Sequence, residues 1–334
     1  MYRSRVFEEH VKKLWDEGLI TGEMHMSTGE EGINTGVIAQ LEDGDAMALD
    51  HRGSSASVIR GIDPLQLLLE FLGHEKGLCG GMGGHMHIFS REHLIASSGI
   101  VGASGPAATG FALAAKYKRP GKVAVSFFGE GAANQGMMME SFNMASALNL
   151  PVLFVCKDNG WAITTISTNV TAGDLVRRAE SFEMPAYEVD GSDVEKVWNV
   201  ASKAINHVRS VNRPAFILAH YINPHGHFLH DPLMSALTGK LKDSLKMGSG
   251  LLKATTALKG ASFQSRMDSL KKTTGLISKK TGEKTGKGKD PVLLLREKLL
   301  NNSEQIKEIE SEVDIEMSNI IKKALTIYKE TEQS

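Results

Sequence analysis

The sequence predicts an α/β fold, a mostly parallel sheet with helices on both faces. Three observations carry this. Two short apolar runs, Val123–Phe128 and Val152–Cys156, are bounded by turn signals, as strands buried on both faces usually are. The stretch between them, Gly136–Leu150, is long enough for a crossover helix and stops before Pro151, whose ring disfavours helical backbone in the residue ahead of it. From Met24 to about Pro232, glycine-rich turns keep alternating with apolar runs.

Along the chain, Tyr2–Leu19 is predicted as an amphipathic helix, with Val6, Val11 and Leu14 at helical spacing and Gly18 near its end. The two central runs and their helix form one βαβ unit of about 30 residues. Val170–Arg178 and Val194–Arg209 read as further helices, and Ala215–Ala219 as another strand. Residues 1–232 thus form the main domain. The segment 233–289 differs: it holds 13 Lys or Arg against 3 Asp or Glu, with Phe263 as its sole aromatic. That composition predicts a mobile basic insertion, with a short amphipathic helix around Leu237, Leu241 and Leu245. Residues 290–334 are expected to be a C-terminal helical segment packing on the main domain, with Asn302 and Gln305 capping a last helix that runs to about Tyr328.

With 334 residues and a net charge of −1, the chain has the make-up of an ordinary globular protein. Charge near zero argues against nucleic-acid binding by the whole protein, although the basic segment could touch an acidic partner. Cys79 and Cys156 have no CxxC partner, which fits a reducing compartment and argues against a structural zinc site. No apolar run reaches bilayer length, and MYRSRVFEEHVKKLWDEG has acidic residues and no apolar signal core, so a cytoplasmic protein with no membrane contact is expected.

The chemistry concentrates in Val123–Thr165. Both strands of a βαβ unit point the same way, so Glu130 and Asn159, each just past a strand, emerge at one sheet edge. A carboxylate and an amide oxygen can converge there on Mg²⁺, a hard cation that completes its shell with phosphate oxygens and water. Gly129 and Gly131 let the backbone approach a ligand, and the following helix offers N–H groups to an anion. The combined signal is metal plus diphosphate. A surface carboxylate in a turn would account for Glu130 alone, though not for the whole arrangement. GEGAAN starts like a dinucleotide fingerprint, but Asn134 holds the third glycine position; GEKTGKGK lacks the spacing of a nucleotide P-loop.

This stretch resembles the thiamine diphosphate motif of one family: GDG, followed about 30 residues later by NN or DN. The family comprises alpha subunits of the decarboxylating component of 2-oxo acid dehydrogenases (pyruvate, branched-chain) and of acetoin dehydrogenase. GAANQG, the Asn159-Gly160-Trp161 turn and SGIVGASGP carry the resemblance, which spans residues 5–232 and resumes at Asp290–Ala324. It implies a thiamine diphosphate-binding fold, with Glu130, Asn159 and the backbone carbonyl of Trp161 as Mg²⁺ ligands. Gly129, Gly131 and Ala132 would sit by the diphosphate, and the backbone at Gly99 and Val101 would face the aminopyrimidine. His25, His51 and Arg52 would line the diphosphate and substrate end; a guanidinium suits either anion. In HYINPHGHFLHDP, His225 and His227 match the His-Gly-His of a loop closing the site, where imidazole could contact diphosphate or shuttle a proton. A solvated loop, or an incidental metal cluster including His230, is the plainer reading of those histidines. His85 and His87 could simply pack beneath the site.

The chain departs from the family in several places. Glu130 stands where Asp is usual, Gly53-Ser54-Ser55 replaces Gly-His-Gly, and Phe228 replaces a serine that some relatives phosphorylate. The basic insertion has no counterpart. Taken together, the resemblance implies cleavage of a carbon–carbon bond beside a carbonyl, with the acyl group passed to a lipoyl-bearing acyltransferase. It also implies a beta subunit that supplies the activating glutamate in an α₂β₂ assembly. The substrate would be a small 2-oxo acid or acetoin; a non-catalytic cofactor-binding subunit and a nucleotide-binding protein are the rival readings.

Overall fold

Residues 124–128 and 152–157 are all withdrawn from water, which is why they lie side by side in the middle of the sheet. The protein is described here from a computed structural model, which covers residues 1–163, 165–229 and 289–332, plus four single positions between 262 and 268. In chain order the strands are β1 (Ala46–Leu49), β2 (Phe89–Ser90), β3 (Ile95–Ser97), β4 (Ala124–Gly129), β5 (Val152–Asp158), β6 (Trp161–Ala162), β7 (Thr165–Ile166), β8 (Ala186–Asp190) and β9 (Ala215–His220). Seven of them form one sheet in the order β2-β3-β1-β4-β5-β9-β8, parallel except where β2 pairs with β3. The last two, β6 and β7, make a separate small hairpin.

The helices are α1 (Tyr2–Asp16), α2 (Glu31–Ile38), α3 (Gly53–Arg60), α4 (Pro64–Phe71), α5 (Ser104–Lys118), α6 (Gly136–Ala147), α7 (Leu175–Glu180), α8 (Val194–Val211), α9 (Pro291–Lys298) and α10 (Ser303–Glu332). Side chains alternate along a strand, so the sheet feeds two cores. Val125 and Phe127 of β4, Leu153 and Val155 of β5 and Ile217 of β9 face α1, α2, α4, α8 and α10. Their neighbours Ala124, Phe128, Phe154, Cys156 and Phe216 face α5, α6 and α7, where Phe142 meets Phe154 edge-on at 4.7 Å. The expected helices on both faces are present.

Several elements match the sequence reading to within a few residues, and their ends have local causes. The N-terminal helix stops at Asp16, short of Leu19, because Gly18 turns the chain at φ +79°. The predicted helix Val170–Arg178 is corrected: Ser167–Asn169 is a 3₁₀ turn, Gly173 has φ +74°, and α7 begins only after Asp174, whose carboxylate accepts from the Arg177 N–H. Asp290 caps α9 in the same way, and α10 follows directly after Asn302 and packs on α1 and α4. Apart from those four positions, the basic segment up to residue 288 lies outside the described residues, and so do its expected helix around Leu237, Leu241 and Leu245 and His230.

One loop is wound around a buried carboxylate. Glu70, at the end of α4, accepts N–H groups from Cys79 (2.6 Å), Gly81 (2.9 Å), Gly83 (2.6 Å) and Gly84 (3.2 Å). The glycines are required: a Cβ on Gly83 would lie 2.1 Å from the His87 carbonyl oxygen. The winding carries Met86 to the wall of the cavity described next and His85 against His25. Both cysteines are free thiols, and no helix among the described residues is long and apolar enough to cross a membrane.

Candidate functional site

Five parallel strands, β1, β3, β4, β5 and β9, end on one edge of the sheet, and the residues just beyond them surround a cavity of about 570 Å³. Ligands in open α/β sheets bind at this edge because loops there can change while the strands hold them rigid. Asp50, His51 and Arg52 follow β1; Gly99 and Val101 follow β3; Glu130, Gly131 and Ala132 follow β4; Asn159 and Trp161 follow β5; Tyr221 follows β9. Gly129, His25 and His227 line the same space. Of the histidines singled out from sequence, His85, His87 and His225 are not in the lining; the His225 N–H donates to Asn223 Oδ1 at 3.1 Å.

Glu130 meets Asn159 through that residue's backbone. Glu130 accepts from the Asn159 N–H at 3.4 Å and from the Ser167 hydroxyl at 2.8 Å. Burial, and then Asp158, push its carboxyl up to about 7. Asn159 Oδ1 accepts from the Trp161 N–H at 2.9 Å, the turn that brings that residue's backbone round toward the cavity. Asn159 Nδ2 donates to Tyr221 Oη at 3.0 Å, and Tyr221 donates to Glu30 Oε1 at 2.8 Å. Lys157, fully inside, pairs with Glu30 at 2.6 Å and Asp50 at 3.1 Å; these carboxylates hold its pKa above the usual lysine value against the effect of burial.

Imidazoles crowd the opposite end. His25 meets His51 edge-on at 4.6 Å and His227 at 5.1 Å, and its Nδ1 lies 3.0 Å from His85 Nε2. Burial first, then the neighbouring imidazoles and Arg52, lower His25 to about 2, His85 to about 4 and His51 far below the usual range. These three rings are therefore neutral at pH 7. His25, His51 and His227 bring ring nitrogens within 4.8 Å of one another, so His227 gathers with rings distant in sequence. Arg52 is anchored among them, donating to the Met26 carbonyl at 2.6 Å and the His227 carbonyl at 2.5 Å. A fixed guanidinium at this end disfavours a second cation and favours an anion.

The glycines of the cavity wall differ in the space beside them. A Cβ on Gly129 would meet only the Lys157 carbonyl oxygen, at 3.9 Å, whereas one on Gly131 would press the Ala162 Cβ at 2.9 Å and one on Gly99 would touch Met86 Sδ at 3.0 Å. Gln135, the residue before α6, lines the cavity and gives that helix no side-chain cap, so its first N–H groups are not covered by one. Sequence reading missed Glu30, Asp50, Lys157 and Tyr221. One signal was available: a lysine closing an otherwise apolar strand must find a carboxylate.

The donor set suits Mg²⁺ at the Glu130 end. Glu130 is a buried carboxylate that, among the described residues, has no cationic side chain as ion-pair partner, and such a group is costly unless a cation meets it. Neutral rings and Arg52 suit the anionic parts of a cofactor or substrate.

Comparison with known proteins gives the geometry a family. The model of the dehydrogenase E1 component family matches residues 1–253. The alpha subunit of the acetoin:2,6-dichlorophenolindophenol oxidoreductase of Cupriavidus necator is 38% identical over 241 residues, covering 72% of each chain. That of Bacillus subtilis is 39% identical over 245 residues, 73% of this chain and 72% of the relative. The pyruvate dehydrogenase E1 component subunit alpha of Rhizobium meliloti is 36% identical over 230 residues, 68% of this chain and 66% of the relative. Similarity on this scale, over the residues that build the cavity, means that the chain belongs to the dehydrogenase E1 component family, among its alpha subunits.

Proposed function

We propose that the chain is the alpha subunit of a thiamine diphosphate-dependent dehydrogenase that cleaves a 2-oxo acid next to its carbonyl and passes the acyl group to a lipoyl-bearing acyltransferase. The observation that carries this reading is the polarity of the cavity, with an unneutralised carboxylate beside an amide at one end and neutral imidazoles around Arg52 at the other. When bound, the cofactor supplies the electron sink for breaking the carbon–carbon bond. The protein positions and screens. Glu130, Asn159 and the Trp161 carbonyl hold Mg²⁺; Gly129, Gly131 and Ala132 admit the diphosphate; Gly99 and Val101 lie along the aminopyrimidine. Arg52 holds an anionic group, His25 and His51 donate or accept hydrogen bonds without adding charge, and His227 stands beside them. His225 belongs to the closing loop.

A beta subunit in an α₂β₂ assembly supplies the activating carboxylate, and the location is cytoplasmic. Acetoin is the second reading of the substrate, favoured by the two acetoin-named relatives at 38% and 39% identity. Co-expression with a beta-type subunit, followed by assay of pyruvate, branched-chain 2-oxo acids and acetoin with an artificial electron acceptor, tests both. Thiamine diphosphate- and Mg²⁺-dependent turnover of one of them is expected. If none turns over while calorimetry still detects the cofactor, the chain is a non-catalytic binding subunit.

A further inference from the structure

Among the ligands proposed for Mg²⁺, Asn159 alone has a side chain with two chemically different ends. Its oxygen attracts a cation and its NH₂ repels one, so the metal site works in only one of two orientations that are nearly identical in shape. The Trp161 N–H favours the productive orientation at one end, at 2.9 Å. At the other end lies a hydrogen-bond chain with a fixed direction. The Tyr221 hydroxyl has a single hydrogen, and Glu30 Oε1, 2.8 Å away, can take it. Glu30 accepts only, since its second oxygen carries the Lys157 ammonium at 2.6 Å, and Lys157 is tied in turn to Asp50. With its hydrogen committed to Glu30, Tyr221 offers Asn159 a lone pair and nothing else; Nδ2 must face it, at 3.0 Å, and Oδ1 must face away.

We infer that Tyr221, with its hydrogen-bond direction set by Glu30 and Lys157, is a positioning residue that fixes the amide of Asn159 with its oxygen toward the divalent cation. The inference rests on the proposed function, in which Asn159 is a metal ligand. All four side chains are in or against the cavity wall, and Tyr221, Glu30 and Lys157 are buried, so water is a poor substitute for any link of the chain. Supporting residues of this kind typically change metal affinity about 10–100-fold when lost.

The test uses the full chain with its beta partner, thiamine diphosphate, and Mn²⁺ as the probe, with free Mn²⁺ followed by electron paramagnetic resonance. Tyr221→Phe should weaken Mn²⁺ binding about tenfold or more. Glu30→Gln keeps the volume but lets the chain reverse, since its NH₂ can donate to Tyr221 and free the hydroxyl hydrogen to seek the Asn159 oxygen; it should weaken Mn²⁺ to a similar degree. A carboxylate presents oxygen at both ends, so in an Asn159→Asp background Tyr221→Phe should shift affinity by less than about twofold. Equal losses in both backgrounds would mean that Tyr221 merely supports the fold, and unchanged binding by Tyr221→Phe would remove the role altogether. A wild-type complex that binds no Mn²⁺ with the cofactor overturns the proposed function itself, and this inference with it.

Discussion

Glu130 is held at both of its oxygens, one taken by the Asn159 N–H and the other by the Ser167 hydroxyl. Glu130→Gln removes the charge and keeps the shape. It should reduce metal-dependent thiamine diphosphate binding at least about 100-fold, as loss of a charged ligand leaves little to hold a hard cation. Thermal unfolding without ligands should be unchanged or raised, because an uncompensated buried carboxylate is costly. Glu8 provides a pH test away from the metal. It is fully buried, accepting from the Ser27 N–H at 2.9 Å and from the Ser54 hydroxyl, and burial raises it to about 7 from 4.5. Between those pH values the folded state holds a proton that the unfolded state has released, so stability falls as pH rises through the window. By pH 8 the loss is about 3 kcal/mol, and urea titrations of Glu8→Gln at pH 5 and pH 8 should lack that decline. At this scale, the sequence disclosed residues whose meaning is local. Gly129, Glu130 and Asn159 declare themselves by type and position in one unit. Lys157 and Glu30 are 127 residues apart, and Tyr221 and Glu30 are 191 apart, so no spacing rule could pair them.

Among the elements, those with long or uniform patterns were legible and those made by short runs were not. The strands β4, β5 and β9 read clearly because each is a near-continuous apolar run. β2 and β3, with two and three residues, are too short to show a period, and they exist because the sheet offers them partners. The helix assigned to Val170–Arg178 went wrong for a related reason: the apolar spacing continued through Gly173, and turn chemistry at Gly173-Asp174 outweighed it. Close packing decides another case. Gly36 lies in α2 where a Cβ would come 2.7 Å from Val197 Cγ1 and 2.9 Å from the Trp198 backbone nitrogen in α8. Helix propensity favours Gly36→Ala by about 1 kcal/mol, while overpacking costs about 1–3 kcal/mol. Because one of the two contacts is backbone and cannot swing aside, the expected result is a net loss of stability in denaturant titration. Asp290 joins two elements, capping α9 and forming a two-point ion pair with Arg5 of α1 at 2.9 and 3.2 Å. Asp290→Ala should cost about 1–2 kcal/mol for the cap and more for the Arg5 charge left among buried groups, measurable by the same titration.

For the molecule as a whole, the cavity opens between apolar residues left in solvent: Ile100 and Val101 after β3, and Ile163 after β6, are at least half exposed. A rim of this kind fits the proposed beta subunit. The chain purified alone should self-associate on light scattering, and co-expression with its partner should give a single species of defined mass. A different consequence follows from how the first and last described helices meet. Tyr2 donates to Asp314 at 3.0 Å, Arg3 grips Glu316 at 2.7 Å, and Met317 and Ala324 are fully buried against the α1 and α4 layer. At about 5–20 residues per second, a ribosome that has released α1 needs roughly 15–60 s more to release α10. For that interval part of the apolar layer around α1 and α4 has nothing to cover it, so the nascent chain is a natural client for a chaperone, and a circular permutant that places α10 ahead of α1 should depend on one less.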